Sequence, residues 1–210
     1  MDWGSVPDWI SAVGDAVMGG AAGFAAYQGY KGLTAWRTEM VGRRRMELAE
    51  EVLADFYEAR DVLRWVRSPM AYSHESETRP GRDVDPEDLR GHRDTFYVPL
   101  KRLSDNAEFF SRIRARRYRV IAAFGVEAAK PYDVIHEINN RIAVSARMLM
   151  QLDPRNTNDR NVSRQERLEA DVWEGLEEND QIGNRINETL KTVEDRFRPE
   201  IVGTGSRTAP

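Results

Sequence analysis

His74 beside Glu75, His92, and His136 beside Glu137 are the side chains best suited to metal or acid–base chemistry. A helical zinc pair needs two His four residues apart, and these three are not so spaced. His74, Glu75 and His92 could meet only through a loop, where solvation is the simpler fate. The chain has no Cys, which removes thiol nucleophiles, thiolate metal sites and disulfides. No Gly-x-Ser-x-Gly elbow is present for Ser/His/Asp catalysis. The glycine-rich run at 14–23 lacks the Lys-Ser/Thr ending and the preceding strand of a phosphate loop. Carboxylate pairs such as Glu50/Glu51 and Glu177/Glu178 are sequence neighbours, so on a helix they face different ways. The expectation is no catalytic residue, no bound metal and no cofactor.

Arg112, Arg114, Arg116, Arg117 and Arg119 surround Tyr118 in a basic run. Such a run can meet nucleic acid or anionic lipid. Its setting favours a duller role. Residues 100–119 carry seven basic and two acidic side chains, whereas 166–200 carry eleven acidic and five basic. An earlier helix offers Glu47, Glu50 and Glu51 as further counter-charges. Pairing within a helical bundle is expected for the run. The formal net charge of −4 also disfavours nucleic acid as a general partner.

The elements that must hold these residues read as helices, and no strand pattern competes. Ala49, Val52, Phe56, Ala59, Leu63 and Val66 alternate three- and four-residue steps, the seam of a helix packed in a bundle. That helix runs from Leu33 until Ser68-Pro69 stops it. The polar stretch 68–94, broken by Pro80-Gly81 and Pro86, reads as a loop, disordered in preference to functional. A second helix covers 94–124, a third Pro131–Leu152 with Ile135, Ile138, Ile142, Ser145 and Leu149 inward. A polar loop at 153–164 leads to a fourth helix that ends at Pro199. The fold class is all-α: an antiparallel, coiled-coil-like bundle of about four long helices over 33–200, with a disordered tail at 201–210.

The segment 1–32 is of another kind. From Trp9 to Tyr30 only Asp15 is charged, in a chain that is 31% charged. About 20 residues at 1.5 Å each cover the roughly 30 Å core of a bilayer. Trp3 and Trp9 precede the segment and Tyr27, Tyr30 and Trp36 follow its middle, as interfacial anchors do. Lys31, Arg37, Arg43, Arg44 and Arg45 come next, a cluster for topology or head groups that puts the N-terminus outside and the rest in the cytoplasm. A central Asp costs about 2.5–3.5 kcal/mol, against about 0.3–0.6 gained per Ile, Val or Phe, so insertion is marginal. A span over about 9–30 is favoured over an interfacial or a soluble, packed helix. Ser11, Asp15, Gly19 and Gly23 share one small, slightly polar row that suits packing between membrane helices.

Several features combine into a resemblance. They are the apolar start with Trp9, Arg45-x-Glu47-Leu48-Ala49, Arg67-Ser68-Pro69, Phe124-Gly125, Trp173, and Glu194 ahead of Arg198-Pro199. With them the chain resembles uncharacterised small bacterial and phage-borne proteins with one N-terminal transmembrane helix and a helical cytoplasmic domain. The resemblance implies an all-α fold and a single-pass address at the inner membrane, and no activity. The expected function is a membrane-anchored interaction or scaffold module, with the lipid bilayer, a second copy or an unknown protein as partner. The alternatives are a membrane-active lesion- or pore-forming effector built on the Gly-rich helix and, more weakly, a soluble nucleic-acid binder.

Overall fold

A computed structural model describes residues 8–156, 158–175 and 179–203; for 8–17 and 19–23 it gives the helical course alone. Among the described residues the chain is all-α, with seven helices and no strand. They are α1 (Asp8–Val66), α2 (Ser73–Glu77), α3 (Glu87–Asp105), α4 (Ala107–Phe124), α5 (Lys130–Gln151), α6 (Asp159–Val172) and α7 (Gln181–Val202). Two short 3-10 turns lie at Arg82–Val84 and Glu127–Ala129. The chain forms two compact units, Met1–Met46 and Glu47–Pro210.

In the second unit the seam of α1 is the spine of the core. Ala49, Val52, Phe56, Ala59, Leu63 and Val66 are all at most 2% exposed, as their spacing requires. They pack with Phe109, Ile113 and Val120 of α4, Ile135, Ile138 and Ile142 of α5, and Ile186, Val193 and Phe197 of α7. The end of α5 builds a second cluster, in which Ala146 and Leu149 meet Phe96 of α3, Val172 at the end of α6, and Trp173. One helix thus serves two cores: α1, α4 and α7 surround its first half, α3 and α6 its second. Cross-helix pairs fix direction. Arg112, Arg116 and Arg119 of α4 reach Glu58, Asp55 and Glu51 in turn, so α4 runs antiparallel to α1.

Four expected helices become seven through local polar chemistry. The predicted 94–124 helix breaks at Asn106, whose side-chain amide and backbone N–H both donate to the Arg102 carbonyl, at 2.8 and 3.2 Å. The register resets there, so Phe109 is buried while Ala107 is exposed. The last predicted helix breaks at Trp173, extended at φ −109°, and Gly175, left-handed at φ 79°. Pro199 does not end α7. The helix continues to Val202 and closes on left-handed Gly203, whose N–H bonds the Pro199 carbonyl.

Both predicted loops are also corrected. Residues 68–94 hold α2, a 3-10 turn and the start of α3, because charge orders what hydropathy reads as disorder. Buried Arg79 bonds Asp85 at 2.5 Å and Asp94 at 2.8 Å. In 153–164, α6 already begins at Asp159, since the Asn158 side chain accepts from Asn161 N–H at 2.8 Å. The predicted tail contributes Ile201 and Val202 to α7, and 204–210 lie outside the described residues.

In the first unit, Phe24, Tyr27, Tyr30, Leu33 and Trp36 are each at least 50% exposed on α1. Among the described residues no helix is long and apolar enough to cross a membrane, so the expected spanning helix finds no support there. The candidate packing face Ser11, Asp15, Gly19 and Gly23 lies outside the described side chains.

Candidate functional site

The predicted basic run resolves into bundle chemistry. Arg116 pairs with buried Asp55 and, at 3.3 Å, with Glu51, which Arg119 also meets at 2.9 Å. Arg112 reaches Glu58 at 3.1 Å and Arg117 reaches Asp133 of α5 at 2.9 Å. The partners come from α1 and α5: Glu51 is one of the expected counter-charges, while Asp55, Glu58 and Asp133 serve in place of Glu47 and Glu50. Arg114 alone of the five has no acidic partner among the described residues. Burial raises the Asp55 carboxyl above its usual range although Arg116 pulls the other way. The Tyr132 hydroxyl is also pushed up, first by burial and then by the charge of Asp55.

The histidines and their acids go separate ways. Glu75 is held by Arg102, His92 Nε2 lies 2.8 Å from the Leu149 carbonyl, and His74 stacks on Tyr72. His136 Nε2 sits 3.1 Å from the Asn140 amide nitrogen. Among the described residues no three His, Asp or Glu side chains are placed to hold a metal ion. In the topology cluster Lys31, Arg37, Arg43 and Arg44 are exposed, Arg43 pairs with Glu39 at 3.3 Å, and Arg45 is half-buried.

Besides Arg79, two buried arginines hold structural positions that the sequence does not signal. Arg102, 1% exposed, donates to both Glu75 oxygens and to the Trp65, Ser68 and Met70 carbonyls, with its guanidinium 4.1 Å from the Trp65 ring. Arg67, also 1% exposed, forks onto Asp180 with two bonds of 2.8 Å and caps the Ala170, Asp171 and Trp173 carbonyls. These five-donor clamps staple the α1 exit to α2 and to the α6–α7 connection. The bonds donated by Arg102 hold the Glu75 carboxyl low, against burial. Glu75 also accepts from Tyr72 N–H at 2.8 Å, which closes the first turn of α2 although Tyr72 stands where Ser or Thr is usual.

Among the described residues an extended concave feature lies between α5 and the α3–α4 pair. A cavity of about 280 Å³ lies among Phe110, Arg114, Tyr118, His136 and Asn139. The next, about 490 Å³, shares Phe110, Arg114, His136 and Asn139 with it and adds Leu103, Val144 and Arg147. A third, about 600 Å³, shares Leu100 and Arg147 and reaches Met150 and Tyr97. Shared walls make the three one groove. α5 lines it with His136, Asn140, Ala143, Arg147 and Met150, the face opposite its buried isoleucines. Among the described residues the bond recorded for His136 in this groove is to Asn140. No protein-family model, curated protein or solved structure matches this chain.

Proposed function

We propose that this chain is a membrane-anchored helical interaction module without catalytic activity, its Glu47–Pro210 unit lying on the cytoplasmic side. One observation carries the reading: the exposed Phe24, Tyr27, Tyr30, Leu33 and Trp36 on α1. They recur every third residue, and at about 100° per residue each step turns the next side chain about 60° back around the helix. The five therefore face most directions. A helix lying in the plane of a membrane keeps its apolar residues on one side. An aromatic collar suits a helix that passes through the lipid–water boundary, with Tyr and Trp at head-group depth and Arg37, Arg43 and Arg44 beyond them. Phe24 favours insertion by about 0.3–0.6 kcal/mol and Tyr27, Tyr30 and Trp36 hold at head-group depth, while Asp15, toward the other end, costs less than the about 2.5–3.5 kcal/mol of a central Asp.

Alkaline carbonate extraction of membranes from cells making the full chain tests this, beside a shortened chain that begins at Leu33 and keeps every core residue from Leu48 onward. The full chain is expected in the pellet and the shortened one in the supernatant. Release of the full chain by carbonate overturns the anchor.

A further inference from the structure

The groove between α5 and the α3–α4 pair has an apolar floor, with Leu103 buried and Leu100, Phe110 and Ala143 half-buried. Its rims are polar. Arg117 is neutralised by Asp133, but Arg114 and Arg147 are exposed and have no acidic partner among the described residues. In a chain of net charge −4 this groove keeps two uncompensated positive charges, one toward each end. His136, Asn140, Ala143, Arg147 and Met150 step 4, 3, 4, 3 along α5, a wall of about 21 Å at 1.5 Å per residue. Four helical turns have that length.

We infer that the groove receives an amphipathic helix of a partner protein, its apolar stripe on Leu100, Leu103, Phe110 and Ala143 and its flanking Glu or Asp side chains on Arg114 and Arg147. Helix-in-groove recognition needs an apolar floor matched to positions i, i+3, i+4 and i+7, with charge at the edges to set orientation. Within this sequence, 204–210 carry an Arg and no acid, and Leu176-Glu177-Glu178 is too short to fill four helical turns. Nucleic acid would need a row of free cations, and four of the five arginines in 112–119 are spent on carboxylates. The inference rests on reading the chain as an interaction module and names the partner's chemistry; it does not depend on the anchor.

The test uses the full chain in non-ionic detergent and two dye-labelled 18-residue helical peptides. Both carry Leu at i, i+3, i+4, i+7 and i+11; one has Glu beside that stripe and the other Lys. Fluorescence anisotropy should show the Glu peptide binding, more weakly as salt rises, with hydrogen-exchange protection at 136–151. Arg114→Glu with Arg147→Glu should weaken it roughly tenfold, since each surface pair is worth up to about 1 kcal/mol and 1.4 kcal/mol is tenfold. The same double variant should gain affinity for the Lys peptide. Both positions are exposed and unpaired, so the fold should survive, as circular dichroism would verify. Equal binding of both peptides, or indifference to the double variant, overturns the inference. So does a dimer of the full chain that the double variant dissociates, which makes the occupant a second copy, or tighter binding of an RNA oligomer than of the Glu peptide. Carbonate extraction of the double variant should match the parent, so loss of the groove and loss of the anchor are read separately.

Discussion

Replacing Arg102 by Met would strand Glu75, 7% exposed, beside three carbonyls that lose their donor. Breaking a buried pair in this way costs about 3–5 kcal/mol, because the remaining charge stays desolvated. Urea unfolding of Arg102→Met should show a loss of that size. Arg102→Lys should recover little of it, since an ammonium cannot fork onto both Glu75 oxygens and also reach the Trp65, Ser68 and Met70 carbonyls. Adding Glu75→Gln to Arg102→Met should return part of the loss by removing the orphaned charge, which a purely steric account of the site does not predict. Equal stability of the Met and Lys variants with the parent would show that water already satisfies these groups.

At the scale of the helix, two glycines divide, one following the usual ranking and one inverting it. Alanine is favoured over glycine inside a helix by about 1 kcal/mol. At Gly91 in α3 an added Cβ meets nothing within 4 Å, so Gly91→Ala should stabilise by about 0.5–1 kcal/mol. At Gly183 in α7 the Cβ would lie 2.6 Å from Asp180 Oδ2. That carboxylate cannot swing away, because it caps Gly183 N–H at 2.9 Å and holds Arg67. Gly183→Ala should therefore destabilise by about 1–2 kcal/mol, the worth of a displaced cap; chemical denaturation of the two variants side by side gives opposite shifts. The same contrast explains what the sequence disclosed. The seam of α1 and the isoleucine face of α5 were legible because apolar burial repeats with the helix. The break at Asn106, the order in 70–94 and the Arg67 and Arg102 clamps were not. The clamps depend on an arginine finding partners 27 or 113 residues away, the break at Asn106 on one amide competing for a carbonyl four residues back, and an arginine bound for the core reads like one bound for water. The groove was hidden for a related reason: His136, Asn140 and Arg147 look like any solvated face until α3 and α4 stand opposite.

For the whole molecule, protons couple these sites. Glu75, ordinarily at 4.5, is held lower chiefly by its bond from Arg102. Asp180, ordinarily at 3.8, is raised by burial but ends low because Arg67 and the Gly183 N–H outweigh it. A carboxyl depressed by folding contributes stability that is complete above its unfolded value and fades as pH falls through the folded one. Stability should thus hold from neutrality to about pH 5 and decline below about 4.5. Asp55 acts in the opposite sense. Burial leaves its folded value above 3.8, so the fold takes up that proton more readily than the open chain and gains stability as pH falls through this window. Urea titrations at half-unit steps from pH 7 to 3 separate the two. Arg102→Met with Glu75→Gln should flatten the acid limb, whereas Asp55→Asn, which removes the opposing contribution, should steepen it. An Asp55→Asn profile parallel to the parent's would mean that Arg116 cancels the burial of Asp55 completely. Surface pairs such as Arg155 with Asp153 and Asp88 are exposed and screened by salt, so the contrast between the two variants should persist at 0.5 M salt, a concentration roughly threefold above physiological ionic strength.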